Sequence, residues 1–226
     1  KYATNYYKTN TETRNKILKR FSMFDGVGLD LTGAKSYDDA LKMSGLDYSA
    51  EKVPLYLADG TKLENHFGVA KSDNPSCILG VVGNQYHAVG NREAFAVAEN
   101  IVNEGYANYE VGGPFMKSQN ALDYAKSFLV LKGDDFQIED DIFNSFVVFN
   151  NSFDGSTGVQ YQVICQRVVC MNGMVRYLGG KDSQIKIKIQ HTESAKDRIK
   201  TANKIIMKRQ NDIEIVKKEA QAFIAQ

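Results

Sequence analysis

The stretch Asp123-Tyr124-Ala125-Lys126-Ser127-Phe128-Leu129-Val130-Leu131-Lys132 decides the fold. Its aromatic and β-branched content predicts a strand that Gly133 ends. Tyr106–Val111 precedes it, and Ile142–Asn150 and Val159–Cys170 follow with the same composition. Gly112-Gly113-Pro114 and Asp154-Gly155 supply the turn signals between them. Short β runs joined by tight turns predict antiparallel meanders, not βαβ units.

The pattern extends in both directions. Val53, Leu55 and Leu57 alternate, Asp59-Gly60 predicts a type I′ turn, and Phe67, Val69 and Lys71 form the return arm. Cys77–Gln85 is a further strand with Ile78, Leu79, Val81 and Val82 on both faces, which predicts burial. Ile185, Ile187 and Ile189 alternate with Lys186 and Lys188, as expected of an edge strand whose lysines discourage pairing with another chain. Two short helices are expected near 36–44 and 91–104. Ser36 caps the first and Gly45 stops it; Asn91 caps the second and Gly105 ends it. A third, around Thr11–Met23, carries Ile17, Leu18 and Phe21 on one side.

The last segment has a different period. From Thr192, read as an N-cap, to Gln226 there is no Gly or Pro. Ala195, Ile199, Ala202, Ile206, Arg209, Ile213, Val216, Ala220 and Phe223 recur at spacings of four and three, a heptad seam broken once by Arg209. A helix from about 193 to 224 would run about 50 Å at 1.5 Å per residue. Two arrangements are open: Ile199, Ile206, Ile213 and Val216 pack on a partner or a second copy, or the helix bends over its own sheet. The expected fold is therefore α+β, a central antiparallel β-meander from Val53 to Gln190 with helices on one face and a long C-terminal helix. The expected organisation is an N-terminal extension over 1–23, a core domain over 24–190 and the helix over 191–226, with Gly179-Gly180-Lys181-Asp182 as the hinge candidate.

Composition narrows the function. The 226 residues are 43% hydrophobic and 24% charged, enough for a core, and no apolar run is long enough to span a bilayer. Lys and Arg number 28 against 27 Asp and Glu, which excludes a globally basic nucleic-acid binder but not a local basic strip. Cys77, Cys165 and Cys170 show no C-x-x-C spacing. Cys165 and Cys170, five apart in a strand, point to opposite faces, which speaks against a disulfide and fits a reducing cytosol. The chain starts at Lys1 with no n-region, apolar h-region or cleavage site, so no secretory signal is expected.

Catalytic patterns are absent: no phosphate-loop motif, no nucleophile elbow, and His66, His87 and His191 far apart in sequence. No catalytic residue, metal or cofactor is expected. Asp134-Asp135 with Glu139-Asp140-Asp141 reads as a solvated acidic loop ahead of Mg²⁺ binding. Asp154-Gly155-Ser156-Thr157-Gly158 reads as a hairpin turn ahead of an anion nest. One feature has the shape of a nucleic-acid surface. Between Lys196 and Arg209 stand six basic residues and one acid, Asp197, with Lys186 and Lys188 just upstream.

Several stretches together resemble one family. They are Leu31-Thr32-Gly33-Ala34-Lys35-Ser36, Gly45-Leu46-Asp47-Tyr48, Val53-Pro54-Leu55-Tyr56, Leu79-Gly80-Val81-Val82-Gly83-Asn84-Gln85-Tyr86, Asn91-Arg92-Glu93-Ala94-Phe95, Asn151-Ser152-Phe153-Asp154-Gly155-Ser156-Thr157, Arg167-Val168-Val169-Cys170-Met171-Asn172 and His191-Thr192. In this order, over roughly residues 24–215, the chain resembles the phage- and plasmid-encoded domain-of-unknown-function family numbered 932. Where members carry a Trp-His-Gly-Leu-Gly-like element, this chain has Phe24-Asp25-Gly26-Val27-Gly28, so no role of that His transfers.

The resemblance implies a mobile-element protein in a bacterial cytoplasm, with no established activity. Joined to the basic strip, it leads to a non-enzymatic single-stranded DNA binding or annealing protein, a homo-oligomer acting in recombination or replication. Lys186, Lys188, Lys200, Lys204 and Lys208 would contact phosphates, with Arg167 and Arg176 as further candidates. Tyr161 and Tyr177 would stack bases if their faces are exposed. The alternative is a phage structural or host-defence-interaction protein whose C-terminal helix docks on a partner.

Overall fold

The structure is a computed structural model of the 226-residue chain and describes residues 27–118, 121–138, 141–168, 175–177 and 186–208. The expected N-terminal helix, the Gly179-Gly180 hinge, Ile213 and Val216 lie outside the described residues.

Strands β5 (Ala107–Ser118), β6 (Ala121–Gly133), β8 (Asp141–Ser152) and β9 (Val159–Val168) pair antiparallel in that order. The short β1 (Leu29–Asp30) lies beyond β5, β7 (Phe136–Ile138) pairs with β8, and β10 (Val175–Tyr177) and β11 (Lys186–Ile189) both pair with β9. The fold is α+β with antiparallel sheets, as the aromatic and β-branched runs predict.

One expectation needs correction. The meander is not continuous from Val53 onward: β2 (Ala50–Tyr56), β3 (Lys62–Lys71) and β4 (Asn74–Gly83) form a separate three-stranded sheet. As a result β4 is an edge strand and is not buried on both faces. Leu79 and Val82 face the core, while Ile78 and Val81 are 48% and 55% exposed. The β2–β3 turn also differs. Gly60 N–H bonds to Leu57 O at 2.9 Å and Leu57 N–H to Thr61 O at 2.8 Å, with Gly60 at φ +88°. That is a three-residue connection closed by a glycine bulge, in place of a two-residue type I′ turn.

The helices form where their caps predict, with two shifts. In α1 (Tyr37–Met43) the Ser36 hydroxyl accepts from Asp39 N–H at 3.1 Å. Gly45, at φ +68°, closes the helix: its N–H bonds to Lys42 O and that of the buried Leu46 to Leu41 O. The second helix is broken at Phe95 into α2 (Asn91–Ala94) and α3 (Ala96–Asn103). Gly90, not Asn91, occupies the cap. Asn91 is instead wholly buried, and its amide links three elements, a role set by tertiary packing. The last helix, α4 over residues 195–208, starts beyond Thr192, with Ser194 C=O accepting from Arg198 N–H at 3.2 Å.

All these helices and the inner face of the small sheet pack on one side of the large sheet. Leu129, Leu131, Val147, Phe149, Tyr161 and Val163 meet Leu41, Phe95, Ile101, Val69 and Val82 there. Ala195, Ile199, Ala202 and Ile206 of α4 join the same cluster. The second arrangement left open by the heptad seam therefore holds over 195–208: the helix lies on its own domain. Ile199 and Ile206 are buried in this chain and are not free for a partner.

Gly158 ties β9 to β11. A Cβ at this position would stand 2.0 Å from Ile189 O, a backbone atom that cannot give way alone. Gly158→Ala should therefore cost about 1–3 kcal/mol by overpacking, read as a lowered urea midpoint.

Candidate nucleic-acid interface

The apolar side chains of α4 place its polar side in water. With 3.6 residues per turn, Ala195, Ile199, Ala202 and Ile206 define one stripe. Lys196, Lys200, Lys204 and Lys208, all exposed, follow a single i+4 row along the flank and back of the helix. Successive members are about 6 Å apart along the axis. Arg198 is also exposed but lies on the opposite flank.

Like charges at i, i+4 each cost about 0.2–0.5 kcal/mol, and cations near a helix N-terminus oppose the macrodipole. The ridge is thus an expense that helix formation alone does not explain. Neighbouring carboxylates offset it little. Lys196 Nζ is 3.7 Å from Glu93 and Lys200 Nζ 3.5 Å from Asp197, both as exposed pairs of small worth. Neither Lys204 nor Lys208 has a carboxylate within 4.0 Å among the described residues.

Lys186 and Lys188 of β11 do not join this row: they point to the face of the large sheet opposite to α4, the side of Gln160 and Gln162. Both lysines are exposed, while Ile187 and Ile189 on the other face turn inward, with Ile187 opposite Tyr161 and Lys188 opposite Gln160. Arg167 and Arg176 stand directly opposite one another in the β9–β10 register, and Tyr177 opposite Gln166. Tyr161 corrects the expectation of a base-stacking platform. It is 1% exposed, packs on Phe149 with ring centroids 5.2 Å apart, and donates its hydroxyl to Ala94 O at 2.6 Å. The inward alternation of β9 makes it a core residue.

A family model described as a domain of unknown function, DUF932, matches residues 78–226. The chain belongs to the DUF932 family. The match begins within β4, runs through α4 and leaves β2 and β3 outside, a later start than the resemblance from residue 24 suggests. No curated protein and no solved structure matches the chain.

Within the DUF932 match, a cavity of about 310 Å³ opens between the 154–158 loop and the start of α4, lined by Tyr86, Ser156, Thr157, Lys188, His191 and Thr192 among others. The loop is a turn that holds its own anion. Asp154 Oδ1 accepts from Ser152 Oγ at 2.6 Å and from Ser156 N–H at 2.9 Å, and Oδ2 lies 3.3 Å from Lys126 Nζ. Burial would raise the Asp154 carboxyl, but these donors win and hold it at about 2. An incoming phosphate would meet a nest already filled. Gly80 lets the small sheet approach this loop, since a Cβ there would lie 2.4 Å from Asp154 Cα.

His191 is the residue sequence reading passed over. Far from His87 in the chain, it accepts the His87 N–H at its carbonyl (3.0 Å) and the Val89 N–H at Nδ1 (3.1 Å). Its ring stacks on Tyr86 at 4.9 Å and 13°. Burial pulls its pKa down to about 4, so at neutral pH the ring is uncharged and Nε2 carries the hydrogen. That atom has no hydrogen-bond partner among the described residues. A buried imidazole inside a β-rich core leaves no periodic signal in sequence. The acidic loop gives no metal site in view: Lys132 lies 3.5 Å from Asp135, Glu139 and Asp140 are outside the described residues, and no group of three ligands forms among the described ones.

Proposed function

We propose that this DUF932 protein binds single-stranded DNA without catalysing a reaction, in recombination or replication of a mobile element within a bacterial host cytoplasm, and does so as a homo-oligomer. The observation that carries the reading is the ridge of Lys196, Lys200, Lys204 and Lys208 on a helix anchored by its opposite face. A row of ammonium groups along one helix suits a flexible polyanion better than a compact ligand. The competing reading, a protein that docks through the seam of its last helix, has lost Ile199 and Ile206 to the core.

Fluorescence anisotropy with a labelled single-stranded oligonucleotide tests the proposal. Each phosphate neutralised on a single strand contributes about 0.7 to the slope of log K against log salt. Four ridge contacts predict a slope near −3 and a fall of roughly fifty-fold between 50 and 200 mM salt. Absent binding at low salt, or binding indifferent to salt, refutes it.

A further inference from the structure

The large sheet has a second apolar face. On β6, Phe128 and Val130 alternate with the inward Leu129 and Leu131; on β8, Phe146 and Val148 alternate with Val147 and Phe149. With Ile164 of β9 and Val111 of β5 they form their own cluster, to which no described helix and no strand of the small sheet contributes. Strands apolar on both faces are covered on both. Phe128, Val130, Phe146, Val148 and Ile164 are indeed no more than 8% exposed in the isolated chain, so the cover belongs to the same chain.

Where the chain enters points to the cover. Gly28 backs onto this cluster: a Cβ there would lie 2.6 Å from Phe128 Cζ. Phe115 meets Phe128 edge-on at 5.2 Å on the same side. The described chain therefore starts at the margin of the outer face. Within residues 1–26, Ile17, Leu18 and Phe21 share one side of a helical pattern. A helix over residues 11–23 would be about 20 Å long, enough to cross four strands set about 4.8 Å apart.

We propose that the N-terminal segment, residues 1–26, docks through Ile17, Leu18 and Phe21 on the outer face of the large sheet. The sheet is then covered on both sides, and the docking does not depend on nucleic-acid binding.

The chain contains no tryptophan, so Phe21→Trp in the full-length protein reports on one place alone. The expected result is blue-shifted emission, shielded from acrylamide, unchanged on dilution, and reverting to free-indole emission in denaturant. Adding Val148→Cys should bring a thiol against the indole and shorten its fluorescence lifetime. Water-exposed emission in the folded protein overturns the proposal. So does a blue shift that disappears on dilution, which would mark a second copy as the cover, or a lifetime untouched by the thiol in a variant that folds.

Discussion

Asn91→Ala is expected to destabilise the protein by about 3 kcal/mol. Asn91 is wholly buried where α2 meets the sheet. Its Oδ1 accepts from Ser127 Oγ at 2.8 Å and from Asn151 Nδ2 at 3.0 Å, and its Nδ2 donates to Leu46 O at 3.2 Å. Asn151 also donates to Val89 O at 3.0 Å, so one network links β6, β8, the loop before α2 and the end of α1. Truncation orphans the Ser127 hydroxyl at about 1–3 kcal/mol, takes one of two donors from the Leu46 carbonyl, which keeps the Tyr48 N–H at 2.8 Å, and opens a small void. At about 2–4 °C per kcal/mol for a domain of this size, Tm should fall by roughly 10 °C. Adding Ser127→Ala removes one orphan and should recover part of the loss, a coupling that a double-mutant cycle reads directly. A loss below about 1 kcal/mol would mean that the network does not hold these elements together.

Stability should also fall between pH 6.5 and 4, and His191 should be the cause. The folded ring titrates near 4, below the usual 6.5 of a histidine, because burial penalises its charged form. The unfolded chain thus takes up the proton first. The contribution of His191 is complete above pH 6.5, declines as pH falls toward 4, and changes no further below that. At 1.36 kcal/mol per unit the full loss approaches about 3 kcal/mol. His191→Asn keeps an acceptor near the Val89 N–H but does not titrate. Urea midpoints of the wild type should drop across this window while those of the variant stay level. Parallel profiles would assign the acid sensitivity to another group. Asp154 titrates in a lower window: held near 2, its contribution is lost only as pH falls from about 4 toward 2.

The parts of this fold that sequence makes legible are those written in local chemistry. Ser36 and Gly45 bracket α1 because a hydroxyl acceptor and a left-handed residue are needed at those two places. The seam of α4 is legible from its spacing, and so is the outward direction of Lys186 and Lys188. What sequence hides is what depends on partners far along the chain. Ile78 and Val81 read as core because both faces of β4 are apolar, yet the strand sits at the edge of a separate three-stranded sheet. Asn91 reads as a cap because it precedes a helix, but its amide serves Ser127, Asn151 and Leu46. Tyr161 reads as a surface aromatic only until Ala94 and Phe149 surround it. The lysine row and the hairpin turn over 154–158 were visible at the candidate site; the Asp154 carboxylate that fills this turn and the burial of His191 were not. Both arise where the 154–158 loop, the His87 loop and the start of α4 converge.

The central claim is that the α4 lysines engage a polynucleotide backbone. Its most direct test compares the salt dependence of single-stranded DNA binding in the wild type and in Lys200→Gln/Lys204→Gln/Lys208→Gln, with Arg198→Gln on the opposite flank as control. The account predicts that the triple change flattens the slope of log K against log salt by about 2, at roughly 0.7 per lost contact, while the control moves it little. Equal slopes in the triple variant and the wild type would contradict it.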